Sequence, residues 1–228
     1  MIRKSFIYFL SLVSCCLVLA VGSSNESDAI DDPLTKKVDL FFHEDWRQIP
    51  AEVPVTQKHI QNPDLLLTRH GPGGDSIKKS HHDEVPGDPW YVWSGLCDKR
   101  WALTLQKKNA LVDLSSDGWI RLCTRQSGAN VLKIVLGLDD GTWLVSDIGF
   151  GQTSDWHEFT AQITDLKWRH LDIINIEAGD WVEAPDLKRV RSIGWTDLTT
   201  GKGSSACTRV DWIEVYGREI RLTKQAIK

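Results

Sequence analysis

The sequence predicts an all-β protein, a two-layer antiparallel β-sandwich, and three observations predict it. Short runs rich in β-branched and aromatic residues recur roughly every ten residues, with Gly, Asp, Pro and Ser clusters between them, as strands joined by turns require. No window beyond residue 30 carries an apolar stripe at helical period over four turns. Several runs alternate apolar and polar residues, the pattern of strands that bury one face.

The first strand reads Val38-Asp39-Leu40-Phe41-Phe42. An irregular passage follows over 47–64, with Pro50, Pro54 and Pro63, and then a short strand at 64–68. The next loop, 70–89, carries Gly71-Pro72-Gly73-Gly74-Asp75 and Pro86-Gly87-Asp88-Pro89. Strands then come regularly at 90–94, 101–106, 119–125 and 131–138, the last turning at Asp139-Asp140-Gly141 into 142–147. Further strands fall at 156–163, 171–177, 190–196 and 208–216, with a Gly179-Asp180 turn into Trp181-Val182 and one helical turn at 185–189. In 119–125, Ile120, Leu122 and Thr124 face one way and Trp119, Arg121, Cys123 and Arg125 the other; Leu132, Ile134, Leu136 and Leu138 share a face. Leu171 and Ile173 oppose Ile174 and Ile176, which reads as a central strand apolar on both sides. The whole suits a sandwich with one partly polar, aromatic-bearing outer face.

The N-terminus reads as a signal. Arg3 and Lys4 precede an apolar run from Phe6 to Val21, and Ala20-Val21-Gly22 places small residues for cleavage before Ser23. A membrane-anchoring helix is one alternative. A lipid anchor at Cys15 is the other, since Leu12-Val13-Ser14-Cys15 resembles a bacterial lipobox. All three place the domain outside the cytoplasm, secreted or periplasmic, and cleavage leaves no membrane span. The expected organisation is a signal at 1–22, a flexible segment at 23–36, one sandwich domain at 37–220 and a tail at 221–228. With 27 basic against 31 acidic residues the formal charge is −4, which offers no phosphate-tracking surface and argues against nucleic acid as partner. Of five cysteines, Cys97, Cys123 and Cys207 remain after the signal. Cys97 and Cys207 both follow turn-like sequence and are expected to form a disulfide, with Cys123 a small core residue. No Cys-x-x-Cys, Gly-rich phosphate loop, nucleophile elbow or His-Glu-x-x-His occurs.

Eleven tryptophans point to sugars, because indole stacks on the C–H faces of pyranose rings while its N–H reaches a hydroxyl. Trp46, Trp101, Trp156, Trp168 and Trp212 sit amid apolar sequence and read as buried or half-buried. Trp90, Tyr91 and Trp93 border the long loop, Trp143 and Trp181 follow turns, and Trp195 alternates with Arg191 and Asp197. The candidate carbohydrate contacts are Trp93, Trp143, Trp181 and Trp195. Arg121 and Arg125 join them, binding hydroxyls or uronate carboxylates, or else pairing with surface acids. The densest titratable cluster is Lys78-Lys79-Ser80-His81-His82-Asp83-Glu84. Adjacent side chains diverge in extended backbone, so it reads as a solvated loop or one hydrogen-bonded over the sandwich. As an active site it would use Asp83 or Glu84 as acid or base and His82 as polariser.

From about 110 to 217 the order of signals resembles galactose-binding-like domains. The matching segments are Val112-Asp113-Leu114-Ser115 before Gly118-Trp119-Ile120-Arg121-Leu122, then Asp155-Trp156-His157-Glu158-Phe159 with the later Asp165-Leu166. Pro185-Asp186-Leu187-Lys188-Arg189-Val190-Arg191-Ser192-Ile193-Gly194 and the closing Arg209-Val210-Asp211-Trp212-Ile213-Glu214-Val215-Tyr216-Gly217 complete them. The chain is similar in this half to the complex I intermediate-associated protein domain and to family-eleven carbohydrate-binding modules. The resemblance implies a jelly roll that binds glycans on one face, usually without catalysis. It also implies a structural calcium joining first strand to last, with Glu44, Asp45 and Asp211 as ligands; salt bridges to Arg47 or Arg209 are the alternative. The expected function is an exported, monomeric, non-catalytic carbohydrate-binding domain. Its competitors are a glycan hydrolase or lyase centred on residues 81–84 and an envelope structural or interaction module.

Overall fold

The computed structural model of the chain describes residues 38–199 and 207–222. The expected signal, the lipid-anchor alternative at Cys15, the segment 23–36 and most of the tail lie outside the described residues. No helix among the described residues is long and apolar enough to cross a membrane.

Fifteen strands build the described chain: β1 (Leu40–Asp45), β2 (Leu65–His70), β3 (Lys78–Ser80), β4 (Tyr91–Trp93), β5 (Ala102–Lys107), β6 (Ala110–Asp113), β7 (Trp119–Ser127) and β8 (Leu132–Leu138), then β9 (Trp143–Phe150), β10 (His157–Gln162), β11 (Trp168–Asp172), β12 (Glu177–Val182), β13 (Val190–Thr196), β14 (Cys207–Tyr216) and β15 (Arg218–Arg221). They form two antiparallel sheets, of six and nine strands. The smaller runs β10-β7-β14-β4-β3. The other edge of β14 is divided, β4 pairing with Arg209 and Val210 and β1 with Trp212 to Tyr216. The larger runs β12-β11-β9-β8-β13-β5-β2, with β6 and β15 appended beside β13.

Alternation places the core between the sheets, as the sequence predicts. Ile120 and Leu122 of β7 and Val210, Ile213 and Val215 of β14 turn inward. They join one cluster with Leu103 and Leu105 of β5, Leu132, Ile134 and Leu136 of β8, and Ile193 and Trp195 of β13. Each such side chain stabilises the fold by about 1.5–3 kcal/mol on burial. The larger sheet also buries Ala102, Val135, Val145, Leu171 and Ile176 on its second face, under the ring of Trp143.

Four expectations are corrected. The run 171–177 is not one central strand. The Asp172 carboxylate accepts the N–H groups of Ile174 (2.8 Å) and Asn175 (3.1 Å), and the chain reverses there into the edge strand β12. A polar side chain that satisfies local backbone donors competes with strand pairing, and here it wins. Gly179 and Asp180 accordingly lie inside β12, and residues 187–188 form a plain turn. Strands β3, β6 and β15 were not expected; all three are short and their sequences are too polar or too brief to alternate visibly. No disulfide joins Cys97, Cys123 and Cys207: Cys97 is packed in the core cluster, whereas the Cys207 sulfur sits 3.3 Å from the Ser127 hydroxyl. The hairpin at 139–141 is as expected, with Gly141 at φ +92° and Asp140 accepting the N–H of Thr142.

Candidate functional site

The outward face of the six-stranded sheet sets aromatic rings among charged side chains. Strand register arranges them in rows. Lys78, Trp93, Arg209 and Arg125 stand side by side across β3, β4, β14 and β7. Ser80 and Tyr91 begin the next row. Asp45, Trp212, Cys123 and Glu158 follow across β1, β14, β7 and β10. Beyond them come His43, Glu214, Arg121 and Thr160, and then Leu40, Tyr216, Trp119 and Gln162.

The centre of the face is a strand junction. β4 and β1 share one edge of β14 and meet opposite Asp211, where the register of β14 against β7 shifts by one residue. Such a bulge turns two consecutive side chains to the same side, which sets Asp211 beside Trp212. Burial, reinforced by the like charge of Asp45, pushes the Asp211 carboxyl up to about 7, against the Cys123 thiol that donates to it. Burial first, and then the Asp211 charge, pushes that thiol up to about 12, so it stays a thiol. Lys79 lies wholly buried nearby, its ammonium 4.4 Å from the Trp90 ring centroid and without a hydrogen-bond partner among the described residues. Burial pulls it down to about 8, opposed by Asp45 and Asp211.

Rings and loops frame this junction. Trp156 reaches from the start of β10 to 5.2 Å from the Tyr91 ring, across the two strands between. Trp119 and Tyr216 stack at 3.6 Å, and the Arg121 guanidinium lies 5.2 Å from the Trp212 ring centroid. Arg121 is also bonded to Glu158 and lies 3.7 Å from Glu214. The 81–84 loop is tied down as hydrogen bonding over the sandwich would have it. His81 stacks on Trp90 at 3.9 Å, and Asp88 accepts the His82 N–H at 2.8 Å. The His82 ring lies 3.2 Å from the Tyr91 hydroxyl. Asp83 and Glu84, the acids an active site there would use, are exposed, with the Asp83 carboxylate 3.2 Å from the His81 ring.

No family model matches the sequence, and no curated protein does. Solved structures do. The chain is similar to carbohydrate-binding modules. The family 11 module of cellulase Lic26A-Cel5E of Clostridium thermocellum is 13% identical over 80% of this chain and 95% of its own, with a TM-score of 0.43. The Clostridium thermocellum family 11 module in complex with a beta-1,3-1,4-mixed-linked tetrasaccharide is 15% identical over 75% and 98%, with a TM-score of 0.41. The carbohydrate recognition domain of Emp47p is 9% identical over 80% and 98%, with a TM-score of 0.37. What this chain binds has to be read from its own side chains.

Among the residues predicted from sequence, Trp93, Arg121 and Arg125 share the outward face of the six-stranded sheet. Trp143 and Trp181 belong to the other sheet. Trp143 lies flat on Gly137, where a Cβ would come within 2.7 Å of the ring. Trp181 is 58% exposed on the edge strand and helps line a groove of about 480 Å³ with Lys167, Glu183 and Pro185. Trp195 is corrected outright: at 1% exposure, edge-on to Trp46, it is core, because the whole inward face of β13 is apolar and Arg191 and Asp197 sit where that strand leaves the core. The expected calcium set does not converge. Glu44 alternates to the inner side of β1, away from Asp45. Its carboxylate accepts the N–H groups of Gln61 (2.7 Å) and Asn62 (3.0 Å), clamping the 47–64 passage. Among the described residues no three His, Cys, Asp or Glu side chains form a metal site. Sequence reading did not single out Lys78, Trp156, Arg209 or Trp212 for this face. The outward set of β14 was visible only as the polar members of Arg209-Val210-Asp211-Trp212-Ile213-Glu214-Val215-Tyr216, with the bulge concealed.

Proposed function

We propose that this chain is an exported, non-catalytic carbohydrate-binding domain that holds a glycan on the outward face of its six-stranded sheet. One observation carries the reading: Trp93, Trp156, Trp212, Trp119 and Tyr216 are half-buried on a face they share with Arg, Asp and Glu side chains that can donate to or accept from hydroxyls. Aromatic rings supply sugar-stacking area, and charged groups beside them supply orientation. The resemblance of residues 110–217 to glycan-binding domains agrees with this, and the basic, then apolar, then small-residue N-terminus supports export.

The test is a glycan-panel screen of the purified protein with Trp212→Ala and Trp181→Ala beside it. Saturable binding is expected, with Trp212→Ala losing about tenfold or more in affinity and Trp181→Ala much less. Loss with Trp181→Ala alone would move the site to the edge groove of the other sheet. Absence of binding to every glycan would leave an interaction module as the better reading.

A further inference from the structure

The first row of the face carries a charge arrangement that the rest of it does not. Arg125 and Arg209 stand directly opposite each other on paired strands, and Lys78 lies across the Trp93 ring from them, its ammonium 5.6 Å from the ring centroid. Like charges opposite one another on neighbouring strands repel and weaken a sheet. Nothing compensates them here: among the described residues no carboxylate lies within ion-pair distance of Lys78, Arg125 or Arg209. Arg209 reaches only the Ser127 hydroxyl, at 3.4 Å, and the Tyr91 hydroxyl. Arg121, two residues along β7 on the same face, is by contrast held by Glu158 and Glu214. In a chain with 31 acids against 27 bases, three uncompensated cations in one row are not a consequence of overall composition. The ring between them is fixed in place. Trp93 lies against Gly95, where any Cβ would fall 2.0 Å from a ring carbon, and its indole N–H is buried.

We infer that the Lys78–Trp93–Arg209–Arg125 row is a subsite for an acidic sugar residue, one whose ring bears a carboxylate or a sulfate ester. The ring packs against Trp93 while the two guanidinium forks take the anion. Planar forks match the paired oxygens of carboxylates and sulfates, and a bound anion removes the repulsion between the opposed arginines. The inference rests on the reading of this face as a glycan site and narrows it to one class of glycan.

The experiment titrates the intact protein with three oligosaccharides of equal length: an oligogalacturonate, a sulfated heparin fragment and a neutral cello-oligosaccharide. Inorganic polyphosphate serves as a polyanion without a sugar. At about 50 mM salt one of the acidic oligosaccharides is expected to bind at least about tenfold more tightly than the neutral one, with the preference shrinking at about 300 mM as screening sets in. The tighter of the two identifies the anion. Arg125→Gln and Lys78→Gln are each expected to lower the acidic-to-neutral affinity ratio by about three- to tenfold and to flatten its salt dependence. Equal binding of neutral and acidic chains, with Trp212→Ala still weakening both, would sink the subsite and leave the glycan reading standing. Failure of every oligosaccharide to bind would sink both. Polyphosphate binding as tightly as the acidic sugars, unaffected by Trp93→Ala, would overturn the subsite in favour of a general anion patch.

Discussion

Replacing Asp197 by alanine is expected to cost about 2–4 kcal/mol of folding stability, the effect of leaving buried hydrogen-bond donors without their acceptor. Asp197 is 3% exposed and stands just after β13, within hydrogen-bond distance of Thr208 near the start of β14. One carboxylate oxygen accepts from the Asn130 amide at 2.8 Å and lies 3.0 Å from the Thr208 hydroxyl and 3.5 Å from that of Ser94. The other accepts the N–H and hydroxyl of Thr199, at 3.1 and 3.0 Å. Four segments therefore meet on one side chain, and Asn130, Ser94 and Thr208 are themselves buried. Alanine strands the Asn130 amide and the Ser94 hydroxyl, each at a cost of about 1–3 kcal/mol, whereas the Thr208 hydroxyl keeps the Gln126 side-chain oxygen at 2.8 Å. Asp197→Asn, which keeps the shape and one acceptor, should recover part of the loss. Urea unfolding of the three proteins measures it; a loss below about 1 kcal/mol for the alanine variant would show that the ends of the sandwich are held by apolar packing alone.

A second large effect is expected from Glu44→Gln, as a change of stability with pH rather than at one pH. Burial pushes the Glu44 carboxyl up to about 7, although two backbone N–H groups favour its charged form. The folded chain therefore holds this proton more tightly than the unfolded chain does. The resulting stabilisation is present below about pH 4.5 and is lost as pH rises through 7. Relative to the glutamine variant, which does not titrate, the native protein should lose roughly 2–3 kcal/mol between pH 4.5 and pH 8. Comparing the two proteins in urea at several pH values cancels the contributions of every other titrating group, His70 and Lys79 among them. A gap that stays constant with pH would mean that the N–H groups of Gln61 and Asn62 keep Glu44 ionised throughout.

These two residues show where sequence reading stopped. Glu44 carries the same carboxylate as Asp45, and sequence resemblance grouped them as one ligand set; which side of β1 each occupies depends on strand register, and register assigned one to a loop clamp and the other to the outward face. Asp197 was visible only as a polar residue alternating with Trp195, because three of its four partners lie outside its own turn, at residues 94, 130 and 208. Trp195 read as a ligand contact because polar residues flank it, yet the inward face of β13 is defined by its pairing with β5 and β8, and that buries the ring. The turn at 172–175 was concealed by its isoleucines, which suggested a strand through a segment where one aspartate reverses the chain.

Periodicity and turn chemistry are local properties, so the sequence by itself determined the all-β class, most strand positions, the hairpin at 139–141 and the inward and outward sets of β7. It also identified the aromatic excess that makes sugar a sensible ligand. The tertiary structure alone decided which aromatic and charged residues stand together. The rows of the outward face are made by register between residues as much as 176 apart in the chain, such as Leu40 beside Tyr216. The bulge that turns Asp211 and Trp212 to one side exists only in the pairing of β14 with β7. A two-residue period says that a side chain points out; it takes the neighbouring strand to say what it points out beside.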